Sequence, residues 1–335
     1  MEIKVLNKID DDFRVRWENF LLDHPDGNFF QSPAYYNFYK TLPSYQPILI
    51  ASIDENNNIC GLLIAIIQKE KGSLKGKLSS RCIIYGGPIV KDNGKEFTDI
   101  LLKELIKIAS SKSVYIEFRN LFDLSKNRDV FMNTGFVYKE HYNFVIEIGS
   151  PEENLKLLDR NRRWQLNKSI KSGTVFLEAN NLNEIREFYS LLKNLYKEKV
   201  KKPLPDFNFF EHFFTTPNLG KYFLVKYNNK IIGGSMCPIF KDSIYELYKF
   251  SSDKEHKHLY PGVLATWAPI EYAAKNGLKY FDFLGAGSAD GDYGVREFKS
   301  KFGGELVQFG RFLRINNNLL YNFGKLGLKV WQIIK

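Results

Sequence analysis

The segment best suited to chemistry in this sequence is a run of glycines that follows a strand-like stretch. It covers residues 283–294 and includes Gly285 and Gly287. Glycine lets backbone N–H groups approach an anion closely, because no side chain stands in the way. The next segment, REFKSKFGG, adds three cationic side chains: Arg296, Lys299 and Lys301. Glycines beside cations are suited to anionic ligands, so we predict such a site here.

The spacing of these glycines fits neither of two common phosphate motifs. It is not G-x-G-x-x-G opening a long helix, and it is not the G-x-x-x-x-G-K-S/T of a Walker loop. The alternative interpretation is a flexible connector, followed by a helix that stops at Gly303 and Gly304. The adjoining cations favour the binding site over the connector.

A second concentration of cations lies on a helix predicted for about residues 152–172. Its cationic residues are Arg160, Arg162, Arg163, Lys168 and Lys171. At helical spacing some of them share one face, while leucines can face the core. Such a one-sided basic helix either binds phosphates or is a solvated surface, and both interpretations stay open.

Two further segments have a purely structural interpretation. Ser32 and Pro33 open a short aromatic helix as its N-cap and first-turn residue. Lys40 ends that helix, where the helix dipole alone stabilises a cation. Tyr85 begins the sequence Tyr-Gly-Gly-Pro, which by itself indicates no more than a turn.

Several enzyme classes lack their residue patterns here. The histidines show no metal-ligand spacing except His256-x-His258, which falls in a polar loop. The sequence has no G-x-S-x-G elbow of a serine hydrolase. Its cysteines, Cys60, Cys82 and Cys237, form no C-x-x-C pair and have no evident histidine partner. We therefore expect no metal site, no disulfide framework and no thiol catalysis.

Composition and charge are those of a soluble globular protein with a basic balance. The chain has 335 residues, 44% hydrophobic and 26% charged, which excludes a disordered or collagen-like protein. The net charge of +10 favours a polyanionic partner such as nucleic acid, a sugar nucleotide or an anionic membrane face, although scattered surface lysines give the same total. With no signal sequence and no apolar run of about 18 residues, we expect a cytoplasmic protein without a transmembrane segment.

The elements that must hold these residues are helices interleaved with hairpin strands. This order predicts a mixed α+β (α/β) fold with mostly antiparallel sheets. The sequence Gly149-Ser150-Pro151 interrupts the pattern, and we place a domain boundary there. The second half repeats the order of elements in the first, which predicts two domains, 1–150 and 151–316.

Five segments are informative through their order as well as their content. They are FFQSPAYYNFYK (29–40), YGGPIV (85–90), RRWQLNKSIKSGTV (162–175), LYPGVLATWAPIEYAAKNGLKYFDFLGAG (259–287) and REFKSKFGG (296–304). Together they resemble the Fem family (FemABX) of aminoacyl-tRNA-dependent peptidoglycan bridge-forming transferases. The last segment is the most specific, and the resemblance spans about residues 28–315.

This resemblance implies both a fold and a reaction. The fold is two tandem GNAT-like acyltransferase domains, with the last helix (317–335) packing back on the first domain and a substrate cleft between the two. The reaction transfers an amino acid from aminoacyl-tRNA to the amine of a peptidoglycan precursor's stem peptide, which forms an interpeptide bridge. Aminoacyl-tRNA is then a co-substrate, no cofactor is needed, and the precursor is UDP-linked or lipid-linked. Peripheral membrane association is compatible with this activity.

The resemblance also implies roles for individual residues. Phe298 and Lys299 look like the family's Phe-Lys pair near the reacting ester, where Lys299 stabilises charge on the carbonyl oxygen or on the departing ribose oxygen. We expect Lys299→Ala to remove transfer with little effect on folding. The other implied positions are substrate contacts: Lys40 and Arg163 on the precursor's phosphates, and Tyr85 and Tyr248 along the cleft.

Two other functions stay open. The same fold serves GNAT-type N-acyltransferases that use acyl-coenzyme A, here on a sugar nucleotide or lipid amine of cell-envelope synthesis. A non-catalytic basic protein that binds RNA or an anionic membrane face predicts salt-sensitive binding without turnover. In that case Phe298 and Lys299 would be replaceable.

Overall fold

Strands and helices alternate along the computed structural model, as the sequence predicts. The structure describes residues 2–6, 9–69, 76, 79–252, 254–288 and 294–334, the side chains of residues 328–334 excepted. The strands are β1 (Glu2–Val5), β2 (Tyr45–Ile53), β3 (Ile59–Gln68), β4 (Arg81–Tyr85), β5 (Ile89–Val90), β6 (Tyr115–Arg119), β7 (Val137–Lys139), β8 (Asn143–Glu147), β9 (Val175–Glu178), β10 (Gly220–Tyr227), β11 (Lys230–Phe240), β12 (Ser243–Tyr245), β13 (Tyr248–Ser251), β14 (Tyr280–Asp282), β15 (Glu305–Val307) and β16 (Arg311–Ile315).

The helices fill the intervals between these strands. They are α1 (Asp11–Asp23), α2 (Pro33–Lys40), α3 (Lys95–Ala109), α4 (Arg128–Asn133), α5 (Pro151–Leu157), α6 (Arg160–Lys171), α7 (Leu182–Leu195), α8 (Phe207–Thr215), α9 (Pro261–Lys275), α10 (Gly294–Ser300) and α11 (Asn318–Ile334). A π-helical turn, Tyr196–Val200, continues α7. Short 3₁₀ turns lie at Phe29–Gln31, Lys91–Asn93, Ser125–Asn127 and Lys257–Leu259.

The first of two compact units comprises residues 1–141 and 308–334. Its sheet has the order β1-β2-β3-β4-β6-β16-β7, and β5 also pairs with β3. The long strands β2 and β3 are apolar and mostly buried. Helix α3 covers them with a leucine face formed by Leu101, Leu102 and Leu105, so an amphipathic helix on an apolar hairpin makes this core.

Strand β16 returns from a distant part of the sequence to lie between β6 and β7. Its Phe312 stacks on Phe131 of α4 with ring centroids 4.0 Å apart, inside the core of the first unit. Helix α11 follows, and the ring of Tyr321 packs edge-on against Tyr115 of β6. The predicted second domain, 151–316, therefore loses its last strand to the first unit.

The second unit comprises residues 142–307, and its sheet has the order β15-β8-β14-β12-β11-β10-β9, with β13 paired to β11. Strand β8 pairs with β14 and β15, so the boundary lies at residues 141/142 and not at the predicted 150/151. Ser150 instead begins α5 as the N-cap of a capping box with Glu153. Helix α9 is buried along most of its length in the core of this unit.

The basic helix predicted for 152–172 is in fact two helices. Helix α5 ends at Leu157 and α6 begins at Arg160. The break falls at Asp159, whose carboxylate accepts a hydrogen bond from the N–H of Asn161 at 2.9 Å and so caps α6.

Both sheets are mostly antiparallel, which confirms the predicted fold class. Within the described ranges two pairings are parallel, β4 with β6 and β12 with β14, and the others are antiparallel. Parallel strands end at the same edge of a sheet. The residues at the ends of β12 and β14 are therefore brought together, although they are far apart in the sequence.

Candidate active site

The carboxyl ends of β12 and β14 form the centre of the candidate site. The N–H of Glu246, just after β12, donates to the carbonyl of Asp282, the last residue of β14, at 2.9 Å. The next N–H, that of Leu247, donates instead to the carbonyl of Met236 on β11, so the pairing of β12 with β14 ends here. The carboxyl side chains of Glu246 and Asp282 are both buried. Burying two carboxyl groups costs folding free energy unless they have hydrogen-bonding or charged partners.

Lys299 of α10 supplies a cation to this edge. Its side chain is only 8% exposed, and its Nζ donates to the carbonyls of Phe283 at 2.9 Å and Gly285 at 2.7 Å. Burial lowers the pKa of Lys299 to about 8, while the carboxylates of Glu246 and Asp282 act to raise it. The burial of Lys299 argues against the sequence-based expectation that Lys299→Ala has little effect on folding, because the substitution removes the donor to the buried carbonyl of Phe283 and to the partly buried carbonyl of Gly285.

The carboxylate of Asp282 accepts two hydrogen bonds, one from a side chain and one from the backbone. Its Oδ1 accepts from Asn143 Nδ2 at 2.7 Å and from the N–H of Leu284 at 2.6 Å. Asn143 Oδ1 in turn accepts from the N–H of Gly285 at 2.6 Å. Burial raises the pKa of Asp282 to about 6. Between pH values of about 6 and about 8, Asp282 and Lys299 are thus both charged.

A second hydrogen-bonded chain approaches Phe298 of the Phe-Lys pair. Lys249 Nζ donates to Thr266 Oγ1 at 2.8 Å, and Thr266 Oγ1 donates to Glu246 Oε1 at 2.8 Å. The same Nζ lies 4.0 Å from the centre of the Phe298 ring, and the guanidinium carbon of Arg162 lies 4.4 Å from it. The ring of Phe298 is therefore positioned by two cations through cation–π contacts.

The cations beside the glycine segment contact the segment itself. Arg296 donates to the carbonyls of Ala286, at 3.1 Å, and Ser288. Gly285 and Gly287 have φ values of 130° and 88°, which favour glycine. Lys301 forms an exposed ion pair with Glu297 at 2.6 Å. Arg296 and Lys299 therefore hold the shape of this turn, and residues 289–293 of the predicted anion site lie outside the described residues.

Arg163 and Tyr248 belong to the same unit but have different surroundings. The guanidinium of Arg163 donates to the carbonyls of Lys156, at 3.3 Å, and Leu158, at 3.2 Å, across the break between α5 and α6. Tyr248 packs against Phe210 of α8 with ring centroids 5.1 Å apart. Its hydroxyl-bearing ring is thus part of an aromatic cluster beside β13.

Helix α6 also presents an exposed aromatic and cationic surface. Trp164 is 54% exposed, and its ring meets that of Tyr260 edge-on with centroids 5.8 Å apart. Lys168 Nζ lies 4.8 Å from the Trp164 ring centre, and Arg160 and Lys171 are exposed on the same helix. We call these four residues of α6, Arg160, Trp164, Lys168 and Lys171, the α6 surface.

The first unit holds Lys40 and Tyr85. Lys40 is exposed at the end of α2, with its Nζ 5.9 Å from the Tyr36 ring centre. The Tyr85 ring stacks on Phe30 with centroids 5.0 Å apart, and its hydroxyl accepts a hydrogen bond from Arg119. Tyr85 is therefore held as part of a polar network, which the turn sequence Tyr-Gly-Gly-Pro did not indicate.

Sequence reasoning missed the acidic centre of that network. Glu117 on β6 pairs with Arg119 at 2.9 Å and with Arg311 of β16 at 3.1 Å. It also missed Glu246, Lys249, Thr266 and Asp282 in the second unit. The alternation of Glu117 and Arg119 along β6 was a readable signal for one shared face, but nothing local to the sequence indicates that β16 lies beside β6.

The described residues contain no group of three or more His, Cys, Asp or Glu side chains that could hold a metal ion. The three cysteines are free and buried. Burial raises the pKa of the Cys237 thiol, which disfavours the reactive thiolate.

Comparison with known proteins decides the class of the second unit. Residues 158–300 match the family described as "Acetyltransferase (GNAT) domain". This segment is therefore similar to GNAT acyltransferase domains. It contains the ends of β12 and β14, Lys299 and the α6 surface, so the candidate site lies inside the matched segment, and the predicted transferase class is confirmed.

Solved structures extend the similarity over the whole chain. FemX is similar with a TM-score of 0.72 and 18% identity, covering 96% of this chain and 99% of that one. L-PGS from Bacillus licheniformis is similar with a TM-score of 0.58 and 14% identity, covering 96% of this chain and 97% of that one. A tandem GNAT protein from the clavulanic acid biosynthesis pathway is similar with a TM-score of 0.57 and 9% identity, covering 94% of this chain and 98% of that one. The predicted resemblance to the Fem family and the tandem GNAT architecture are thus confirmed as a fold. No curated protein matches the chain by sequence.

Proposed function

We propose that the protein transfers an amino acid from aminoacyl-tRNA to the amine of a peptidoglycan precursor's stem peptide and so forms an interpeptide bridge. The observation that carries the proposal is the Lys299 ammonium, buried at the strand edge and held by two carbonyls inside an acyltransferase domain. The FemX-like fold over nearly the whole chain supports the same reaction.

The reaction asks little covalent chemistry of the protein, because an aminoacyl ester is already activated. The neutral amine nitrogen attacks the ester carbon, a C–N bond forms, and the carbonyl electron pair moves to oxygen. The C–O bond to the ribose then breaks, and the ribose oxygen leaves with a proton from the attacking nitrogen. Orientation of the two substrates supplies most of the acceleration.

Lys299 is suited to stabilise the charge that develops on this path. Two of its three N–H bonds have acceptors among the described residues, which leaves the third for a substrate oxygen. Because those carbonyls orient the ammonium before substrate arrives, little reorganisation is needed as charge appears. Phe298, held between Lys249 and Arg162, provides an apolar wall beside it.

The α6 surface supports a nucleic-acid co-substrate. An exposed tryptophan flanked by cations is a combination that stacks bases and neutralises phosphates. Arg162, on the other side of the same helix, contacts Phe298, so α6 connects this surface to the candidate active site. The net charge of +10 fits both tRNA and a precursor that carries pyrophosphate.

Since charged tRNA is a cytoplasmic substrate, we expect an enzyme with this function to act in the cytoplasm, where UDP-linked and lipid-linked precursors are both accessible.

A direct assay tests the proposal. Purified protein is incubated with a precursor and a pool of charged tRNAs, and the mass added to the precursor is measured. We expect the mass of one aminoacyl residue, and the same experiment identifies which one. Salt-sensitive binding of tRNA without any mass increase would reject the transferase function in favour of a binding protein.

An N-acyltransferase that uses acyl-coenzyme A is the second candidate. The match to an acetyltransferase family favours it, and its acceptor would be a sugar-nucleotide or lipid amine of cell-envelope synthesis. A thermal-shift experiment separates the two, because a ligand that binds only the folded protein raises its melting temperature. Stabilisation by acetyl-coenzyme A and not by tRNA would favour this alternative.

A further inference from the structure

The last helix, α11, carries an apolar face that nothing in the described part of the chain covers. Leu319, Phe323 and Leu326 are 72%, 62% and 58% exposed. Their spacing of four and three residues places them on one side of the helix. Single exposed apolar residues are common, but three that share one face of a helix indicate a contact surface. We call these three residues the α11 face.

The opposite side of the helix is fixed to the first unit. Tyr321 packs against Tyr115 with ring centroids 5.6 Å apart, and its N–H donates to the carbonyl of Asn317 at 3.0 Å. Leu320 and Gly324, on the same side as Tyr321, are partly buried. Because this side is already packed, the helix cannot rotate to bury the α11 face without breaking these contacts.

The charge of the helix indicates what the face contacts. Its sequence contains lysines at positions 325 and 329 and no aspartate or glutamate. In a twofold dimer through this helix, the lysines of the two copies would meet like charges with no acidic partner on the helix. An anionic lipid surface provides the opposite charge and an apolar layer together, which is the combination that a cationic amphipathic helix binds.

We propose that the α11 face docks on an anionic lipid surface, with the helix lying in the plane of the interface. Leu319, Phe323 and Leu326 insert between the headgroups and acyl chains, and the positive charge of the helix attracts the anionic headgroups. Lys325 Nζ lies 5.5 Å from the ring centre of Tyr321, so Lys325 acts through this long-range attraction and not by insertion. Within the described ranges no helix is long and apolar enough to cross a membrane. The binding proposed is therefore peripheral. It does not depend on the aminoacyl transfer proposed above.

Vesicle sedimentation with the full chain tests this surface. The probes are vesicles of phosphatidylcholine alone and vesicles that also contain phosphatidylglycerol. We expect the protein to sediment with the anionic vesicles and to be released at about 0.5 M salt, where surface charges are screened. The triple variant Leu319→Ser, Phe323→Ser, Leu326→Ser should lose at least about tenfold in vesicle affinity, because three apolar side chains no longer leave water.

A control variant distinguishes binding through the α11 face from non-specific hydrophobic binding to vesicles. Val15 and Leu22 are exposed at 49% and 46% on another helix, α1, so Val15→Ser, Leu22→Ser removes exposed apolar side chains elsewhere, although with a smaller total area. This variant should bind vesicles like the wild type, and both variants should keep the wild-type melting temperature. Equal vesicle affinity of the triple variant and the wild type would overturn the proposal. So would a wild-type dimer that the triple variant dissociates, with no vesicle binding by either, since a second copy would then cover the face.

Discussion

At the scale of single residues, the ammonium of Lys299 is bound to the carbonyls of Phe283 and Gly285 in a buried position. In the sequence, Lys299 is one of three cationic residues in the segment REFKSKFGG, and nothing marks it as buried. The structure distinguishes it from Lys301, which pairs with Glu297 at the surface. Only the buried cation keeps its electrostatic effect in the presence of salt, because water screens the exposed one.

Replacing the ammonium by an apolar group of similar length tests its role. In Lys299→Met the carbonyls of Phe283 and Gly285 lose their donor, which should cost about 1–3 kcal/mol of unfolding free energy. The loss of charge stabilisation should lower kcat for transfer by about 10²–10³-fold. Urea unfolding and steady-state kinetics measure the two effects. Lys275→Met, at the exposed end of α9, is the control, and wild-type kcat in Lys299→Met would disprove the role.

The pH dependence of transfer follows from two buried groups. Asp282 is ionised above a pKa of about 6, and Lys299 is protonated below a pKa of about 8. We expect kcat/KM to be greatest between these values and to fall on both sides. Asp282→Asn should remove the acidic limb and keep the alkaline one. A profile that is flat from pH 5 to 9 would contradict this assignment.

The same two groups set opposite trends in stability. The folded state binds the proton on Asp282 more tightly than the unfolded chain, so stability falls as the pH rises from the unfolded value of 3.8 to about 6. Folded Lys299 binds its proton less tightly, so stability rises with pH between about 8 and the unfolded value of 10.5.

At the scale of elements, one carboxylate links two strands of the first unit. Glu117 on β6 contacts Arg119 on the same strand and Arg311 on β16. Burial acts to raise the pKa of Glu117, but the two guanidinium groups outweigh it and lower that pKa. The ionic stabilisation is therefore complete above the unfolded value of 4.5 and is lost as the pH falls through the lower folded value.

Glu117→Gln should destabilise the first unit. The substitution keeps the size of the side chain but leaves two partly buried guanidinium groups without a counter-charge, at a cost of about 1–3 kcal/mol. Glu104→Gln is the matched control, because Glu104 pairs with the single exposed Lys107. Its cost should stay below about 0.5 kcal/mol. Urea unfolding at pH 7 measures both, and equal midpoints for the two variants would refute the network.

Helix α6 gives a second prediction at this scale. Trp164→Ala should raise the KM for aminoacyl-tRNA by about tenfold and leave kcat unchanged, because one base loses its stacking partner away from the reacting atoms. Ile170→Ala removes another exposed side chain of the same helix and serves as the control. If Trp164→Ala changes kcat and not KM, the α6 surface does not bind the RNA.

At the scale of the whole molecule, the chain crosses between units twice. It enters the second unit at residue 142 and returns to the first at residue 308. The first unit therefore depends on a segment from the far end of the sequence, since β16 completes its sheet between β6 and β7.

Deletion of residues 308–335 tests that dependence. Without β16, the core rings of Phe118 and Phe131 lose Phe312, and β6 and β7 lose their shared neighbour. Hydrogen exchange should show amides of β6 and β7 exchanging fast, while those of β10 and β11 stay protected. Uniform loss of protection in both units, or unchanged protection in β6, would show that the units are not organised in this way.

Much of the fold and part of the site could be predicted from the sequence. The hairpin of β2 and β3, the mostly antiparallel sheets and the helix cap at Ser32 all follow from local patterns. The segment around Lys299 is singled out in the same way, and its role stays a prediction. Each depends on residues a few positions apart, whose periodicity and capping chemistry specify the conformation directly.

Tertiary structure alone decided which strands pair and which charges meet. The local sequence of β8 or β16 does not indicate which strand it pairs with. The predicted domain boundary at 150/151 therefore differs from the observed one at 141/142. The meeting of Glu246 with Asp282 likewise arises from the parallel pairing of β12 with β14, and Lys299 is buried against the turn that follows β14. Pairing and burial depend on packing among distant segments, and a local pattern that fits one neighbour fits several.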